Sequence, residues 1–270
     1  MMNTSKEDMK ELIVKRLKEK TSCPIVCFDL VEEKTNIFDS KIGGAFYVSQ
    51  GEKEPVNQNS GQPLYLLVQI NFEQIPHIPS FPQKGLLQIF IAGDDDLYGA
   101  DFDEPMKQKS YCIRFLKDIP SDVSEECIYN PKWTKETNLP FDEGTEYKLK
   151  GVLEKQAISV HDYQFSDTLV KFCRDLIPDD CQDIYDLDDE TVDYLFEELI
   201  TNGCQIGGYP CFTQWDPRET DYNDYDILLF QLDSIKNIMW GDCGVANFFI
   251  KKEDLENEDF SSILYNWDCC

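Results

Sequence analysis

Lys41-Ile42-Gly43-Gly44, followed by Leu66-Leu67-Val68-Gln69-Ile70-Asn71, is matched in the second half of the chain by Gln205-Ile206-Gly207-Gly208, followed by Leu228-Leu229-Phe230-Gln231-Leu232-Asp233. Each copy closes on a third run, Gly85-Leu86-Leu87-Gln88-Ile89-Phe90-Ile91 in the first and Gly244-Val245-Ala246-Asn247-Phe248-Phe249-Ile250 in the second. The spacing is kept: 25 positions from Gly44 to Gln69 and 16 on to Gly85, against 23 and 13 from Gly208 through Gln231 to Gly244. Paired glycines allow backbone at positive φ, and short apolar runs rich in β-formers specify buried strands. The repetition predicts a mainly β, β-rich α+β chain with an internal duplication and two related units, about 41–92 and 205–250.

Around these units the hydrophobic period divides the chain. Pro24–Val31, Ile42–Val48, Leu64–Asn71, Leu86–Ala92, Tyr111–Phe115 and Tyr147–Val160 read as strands, several of them continuously apolar and therefore buried on both faces. Ser49–Gly61, Gly93–Lys109 and Pro120–Gly144 read as irregular connections. Ser5 is placed to cap an N-terminal amphipathic helix with Met9, Leu12, Ile13 and Leu17 on one face. Two mid-chain helices are expected. Ser166 or Asp167 starts the first, with Leu169, Phe172, Cys173, Leu176 and Ile177 inward and Pro178 ending it. Asp188 caps the second, with Val192, Leu195, Phe196, Leu199 and Ile200 as its apolar stripe. Leu255–Cys270 closes the chain. No low-complexity linker separates the halves, so 1–270 is read as a single domain.

Charge sets the classes of partner. With 25 Lys and Arg against 52 Asp and Glu the chain carries a formal charge of -27, which repels nucleic acid and attracts a basic protein. The acids concentrate at 161–200, where thirteen face only Lys171 and Arg174, whereas the first twenty residues hold six cations against four acids. That contrast would let the first helix lie against an acidic neighbour; adsorption of its short apolar stripe to a membrane is the sharper alternative. No run of about 18 apolar residues is present to span a bilayer.

Eleven cysteines in a long chain whose first residues lack an apolar signal region point to the cytoplasm and reduced thiols. No Cys-x-x-Cys pair is present, so a structural zinc site is not expected. The two histidines, His77 and His161, lie near no nucleophile motif, and the glycine pairs lack the pattern of a phosphate loop. Neither a catalytic residue nor a cofactor site is assigned. The carboxylates of Asp94–Glu104 could attract calcium, but they lack the regular ligand spacing of a calcium loop. Gln69 and Gln231 each interrupt an apolar strand at the same place, and Trp240-Gly241-Asp242-Cys243-Gly244 forms a turn. These amides either satisfy backbone groups at an irregular junction or, with Trp240 and Asp242, line a ligand cleft between the two units.

Taken in order, Ile42-Gly43-Gly44, Gln69-Ile70-Asn71-Phe72, Phe81-Pro82 through Phe90, Asp95-Asp96-Leu97-Tyr98-Gly99, Gly207-Gly208-Tyr209-Pro210, Leu228 to Asp233 and Trp240 to Gly244 resemble the YwqG-like bacterial proteins. The resemblance implies a roll-like arrangement of sheets and a distant relation to the programmed cell death protein 2 group, whose members look like dedicated chaperones of a ribosomal protein. Some bacterial relatives are encoded beside toxin and immunity systems. No catalytic residues come with the resemblance, and the cysteine-rich zinc modules of the eukaryotic group are missing. Ala45 stands where a proline usually follows the glycine pair, as Pro210 does in the second copy. The expectation is a non-enzymatic, cytoplasmic interaction module that binds a basic protein in a chaperone-like or immunity-like role. The alternative is a small-ligand binder or enzyme working in a cleft between the repeats.

Overall fold

A computed structural model describes residues 6–270, so the Ser5 cap lies outside the described residues. In chain order the elements are α1 (Lys6–Thr21), β1 (Cys23–Val31), β2 (Lys41–Gly43), β3 (Phe46–Tyr47), β4 (Tyr65–Asn71), β5 (Leu86–Ile91), β6 (Tyr111–Leu116), β7 (Ile128–Tyr129) and β8 (Glu146–Gln156). They continue with α2 (Phe165–Cys173), α3 (Asp189–Leu199), β9 (Cys204–Ile206), β10 (Ile227–Asp233), β11 (Val245–Ile250), α4 (Lys252–Glu256) and β12 (Leu264–Asp268).

Ten strands form one antiparallel sheet in the order β12-β11-β10-β9-β1-β8-β2-β4-β5-β6. At its centre β1 pairs with β8 from Cys23 opposite Gln156 to Val31 opposite Lys148. Each member of this pair carries an arm of four strands: a three-residue strand after which the glycine pair turns at positive φ, then two long buried strands, then an edge strand. The arms agree in detail. Leu66 faces Phe90 and Val68 faces Ile89, which leaves Leu67 as a bulge. Leu228 faces Phe249 and Phe230 faces Phe248, which leaves Leu229 in the same place. A bulge re-aims the strand beyond it, so both arms bend at equivalent points and the sheet curls.

The curl brings the two edges together. The Tyr111 and Tyr265 rings lie 5.3 Å apart, and those of Phe115 and Phe260 4.9 Å apart. Tyr111 donates its hydroxyl proton to the Ile263 carbonyl at 2.6 Å. Gln108 spans the remaining gap, accepting from the Ile113 amide at 2.7 Å and donating to the Phe260 carbonyl at 2.7 Å. The concave face holds the main core, contributed by both arms and by Val26, Phe28 and Leu30 of β1.

A helical layer covers one side of the centre. Ile13, Val14 and Leu17 of α1 bury against Leu169 and Cys173 of α2 and Leu195 and Leu199 of α3. Lys10 pairs with Glu190 at 2.7 Å, Lys18 with Glu198 at 2.6 Å, and Arg16 with Asp175, so the basic helix does lie on the acidic segment. Half-exposed pairs of this kind contribute about 0–1 kcal/mol each, so apolar burial is what holds α1.

Several boundaries depart from the expected ones. Leu12 is 40% exposed and Val14 takes its place, because α1 contacts two helices and its buried stripe turns toward both. The strand expected at Ile42–Val48 breaks into β2 and β3 where Gly43 and Gly44 adopt positive φ. α2 ends at Cys173, ahead of Pro178, and Ile200 lies past the end of α3 in extended backbone. The strand expected at Tyr147–Val160 ends at Gln156, after which Ile158 turns into the helical layer and its amide bonds Thr21 Oγ1 at 2.9 Å. The last sixteen residues hold the edge strand β12, whose mixed Leu264-Tyr265-Asn266-Trp267-Asp268 lacks clean alternation.

Candidate functional site

The residues singled out by sequence separate in the structure. Gln69 is fully buried, donates to the carbonyls of Ile37 at 2.9 Å and Asp39 at 2.8 Å, and accepts from Gln88 at 2.9 Å. Gln231, equally buried, donates to Thr201 at 3.0 Å and Gly203 at 3.3 Å and accepts from the Cys211 amide at 2.7 Å. Each glutamine therefore pins the loop that leads into its arm's short first strand. Trp240 is buried in a cluster with Tyr98 and Trp267, while Asp242 is exposed on the turn beyond it. Between the arms, side chains fill the seam, and a shallow depression of about 400 Å³ over Gln108, Phe115 and Phe260 is lined by none of the four.

Other clusters are engaged internally. Asp94 accepts from Asn57, Asp95 from the Leu97 amide, Asp101 from the amides of Asp103 and Glu104, and Glu104 pairs with Lys107 and Lys109. Among the described residues no group of three or more His, Cys, Asp or Glu side chains is arranged to hold a metal ion. His161 does not pair with Asp162; its Nδ1 lies 3.4 Å from Cys211 Sγ and accepts from the Phe212 amide. Burial, reinforced by Asp233 and Asp268, pushes the Cys211 thiol up to about 12, so it remains protonated near neutrality. Asp162 turns instead to Arg218, 3.0 Å away, which also forks onto Asp216 at 2.9 and 2.6 Å. Arg218 is 2% exposed and lies over the rings of Phe249 at 4.2 Å and Tyr163 at 5.0 Å.

The first arm carries a cleft. Of about 460 Å³, it opens beside the start of β4, between Gly44 and Leu66 and the loop that runs from Asn130 to Glu146. Tyr65, Trp133 and Phe141 form one wall; Trp133 meets Tyr65 edge to face at 5.5 Å and Phe141 at 6.3 Å. The Tyr65 hydroxyl donates to the Lys132 carbonyl at 3.2 Å and lies 3.1 Å from Thr137 Oγ1, which fixes the loop against the strand. Glu143, exposed, and Glu146, half-buried, also line it.

Glu146 is positioned from behind. Its carboxylate accepts from the Thr35 hydroxyl, and the buried Lys41 amine reaches the same hydroxyl at 3.4 Å. Burial lowers the Lys41 pKa, opposed by the charges of Glu146 and Asp39. Gly44, with φ +76°, leaves open the space that a Cβ would take from the Glu146 carboxylate. A second compartment of about 340 Å³ adjoins the first across Tyr65 and Lys132 and is edged by Asp94 and Glu136.

These lining residues were missed because Asn130–Glu146 has no hydrophobic period. The available signal was its length: structureless loops beyond about 12–15 residues are commonly functional. In the Asp216-Pro217-Arg218 turn, an arginine isolated among carboxylates is the sequence cue to the buried pair.

A curled, ten-stranded antiparallel sheet with a helical layer and a formed cleft on one arm defines a mainly β protein with a binding-sized cavity. The chain belongs to the family described as a domain of unknown function, DUF1963, whose sequence model matches residues 40–269. No curated protein matches the chain. None of the described helices is long and apolar enough to cross a membrane.

Proposed function

We propose that the protein is a non-enzymatic, cytoplasmic interaction module that binds a basic protein in a chaperone-like or immunity-like role. We place it with the YwqG-like proteins and their distant programmed cell death protein 2 relatives, with its arms descended from an internal duplication. The observation that carries the reading is the uncompensated charge, 52 acids against 25 cations. Much of that small cation supply is already committed within the chain, as in Lys10, Arg16, Lys18 and the buried Arg218. The field left at the surface is acidic and favours a cationic partner.

Pull-down from lysate at low and moderate salt, with reconstitution from purified components, tests the reading. A basic protein that binds the purified chain and dissociates as salt rises supports it, since screening weakens exposed charge contacts. Failure to recover any such partner counts against it.

A further inference from the structure

We propose that the two-compartment cleft on the first arm receives an extended basic segment, with one arginine or lysine side chain in each compartment on either side of Lys132. This rests on the basic-partner reading above and names the place where the partner is held.

The compartments of about 460 and 340 Å³ share Tyr65 and Lys132, and each is edged by two carboxylates: Glu143 and Glu146 in one, Asp94 and Glu136 in the other. Against those four acids stand Lys132 in the lining and Lys41, buried behind Glu146. Aromatic faces beside carboxylates suit a guanidinium or ammonium group, which gains a ring contact and an ion pair together. Tyr65 is itself buried and bonded through its hydroxyl, and Glu146 is held by Thr35, so the walls are largely preorganised.

The chain shows the same ligand chemistry satisfied from within. On the second arm Phe249 belongs to an outer cluster with Phe212, Tyr225 and Leu228. There Arg218 lies between the rings of Phe249 and Tyr163 and is paired with Asp162 and Asp216. The second arm thus supplies its own arginine to a site of rings and two carboxylates. On the first arm rings and carboxylates are present around open volume, with Lys132 at the junction of the compartments.

The test uses the full chain and synthetic peptides with two arginines at alternate positions, which share a face when extended. The same peptides with citrulline in place of arginine serve as neutral controls. By calorimetry the arginine peptide binds and the citrulline peptide binds at least about tenfold more weakly. Glu143→Gln and Glu136→Gln each weaken binding about twofold to fivefold, as expected for exposed pairs. Lys132→Gln strengthens binding by a similar factor, a gain that loss of structure would not produce. Glu219→Gln and Asp221→Asn, on the second arm, leave binding unchanged. Equal losses from the cleft and second-arm variants would overturn the site while leaving the basic-partner reading in place. Equal binding of the arginine and citrulline peptides, or a loss from Lys132→Gln, would overturn the proposal. Basic partners captured by pull-down that ignore the cleft variants would do the same.

Discussion

Replacing Gly208 by alanine isolates what the glycine pair does, provided it is compared with Gly144→Ala. Both residues have positive φ, +74° and +82°, so each substitution forces an L residue into the left-handed region. That backbone strain is about 1–2 kcal/mol, partly offset by about 0.4–1 kcal/mol from a less flexible unfolded chain. Nothing lies within 4 Å of a Cβ at Gly144, so its net loss should be about 1 kcal/mol. At Gly208 the Cβ would overlap Gln156 Oε1 and lie 2.5 Å from Ile25 Cγ2. The Gln156 carbonyl accepts from the Tyr209 amide at 2.6 Å, and its amide donates to Gln205 at 3.0 Å. Displacing it leaves a half-buried donor unpaired, about 1–3 kcal/mol, and shifting Ile25 within a packed layer adds about 1–3 kcal/mol. Gly208→Ala should therefore lose about 3–7 kcal/mol in all. In urea denaturation its midpoint should fall well below that of Gly144→Ala with an unchanged slope. The difference should shrink when Gln156→Ala is added, since the two positions are in contact. Matching midpoints for the two glycine variants would refute the close-packing argument.

Other perturbations probe the helical layer and the buried charges. Arg218→Met leaves Asp162 and Asp216 buried without a counter-charge and should cost about 3–5 kcal/mol in urea unfolding; burial already raises the Asp162 pKa, so the loss should lessen in acid as Asp162 protonates. Burial lowers the His161 pKa below its ordinary 6.5, so the unfolded chain takes up the proton first. Stability from this group is therefore complete above pH 6.5 and declines as pH falls below it, and His161→Gln should flatten that part of the stability curve. Deleting residues 1–39, which lie outside the family match, removes β1 from the sheet's centre. Ile25, Val26, Phe28 and Leu30 are all buried, at about 1.5–3 kcal/mol each, a sum comparable with a domain's whole stability. Circular dichroism of the truncated chain should show no cooperative melt; a wild-type transition would show that the arms hold together without β1.

What sequence disclosed depended on whether a residue's role was local. The continuous apolar runs of β4, β5, β10 and β11 gave those strands nearly to their ends, because burial on both faces leaves a run that no helix period explains. Asp188 was legible as a cap because its side chain meets the Thr191 amide three residues on. The pairing of β1 with β8, more than a hundred residues apart, left no local trace, and neither did the closing contact of Tyr111 with Ile263. The cleft was invisible for a related reason. Its Trp133 and Glu146 acquire meaning only when the loop folds back on Tyr65, and an irregular loop announces no face.

The correspondence of the arms also sets off the places where they differ. Their inner faces are constrained together: both face the same core, both bulge at the same leucine, and both use a buried glutamine to pin the loop before the first short strand. Little freedom remains there, since any change in volume is felt across a close-packed interior. The outer faces each hold a smaller buried cluster, on Leu66 and Phe90 in one arm and Leu228 and Phe249 in the other, but different segments cover them. On the second arm the segment from Phe212 to Tyr225 folds down with Arg218 and seals the surface. On the first, Phe46 of β3 and Tyr129 of β7 cover Phe90, and the loop beyond them stands beside Tyr65 and leaves a cavity. Both outer faces are thus covered, and the cavity of the first arm lies where the loop from Asn130 to Glu146 meets the start of β4, with Leu139 and Phe141 of that loop anchored in the main core, so change in volume there is held to the exposed loop positions between these anchors.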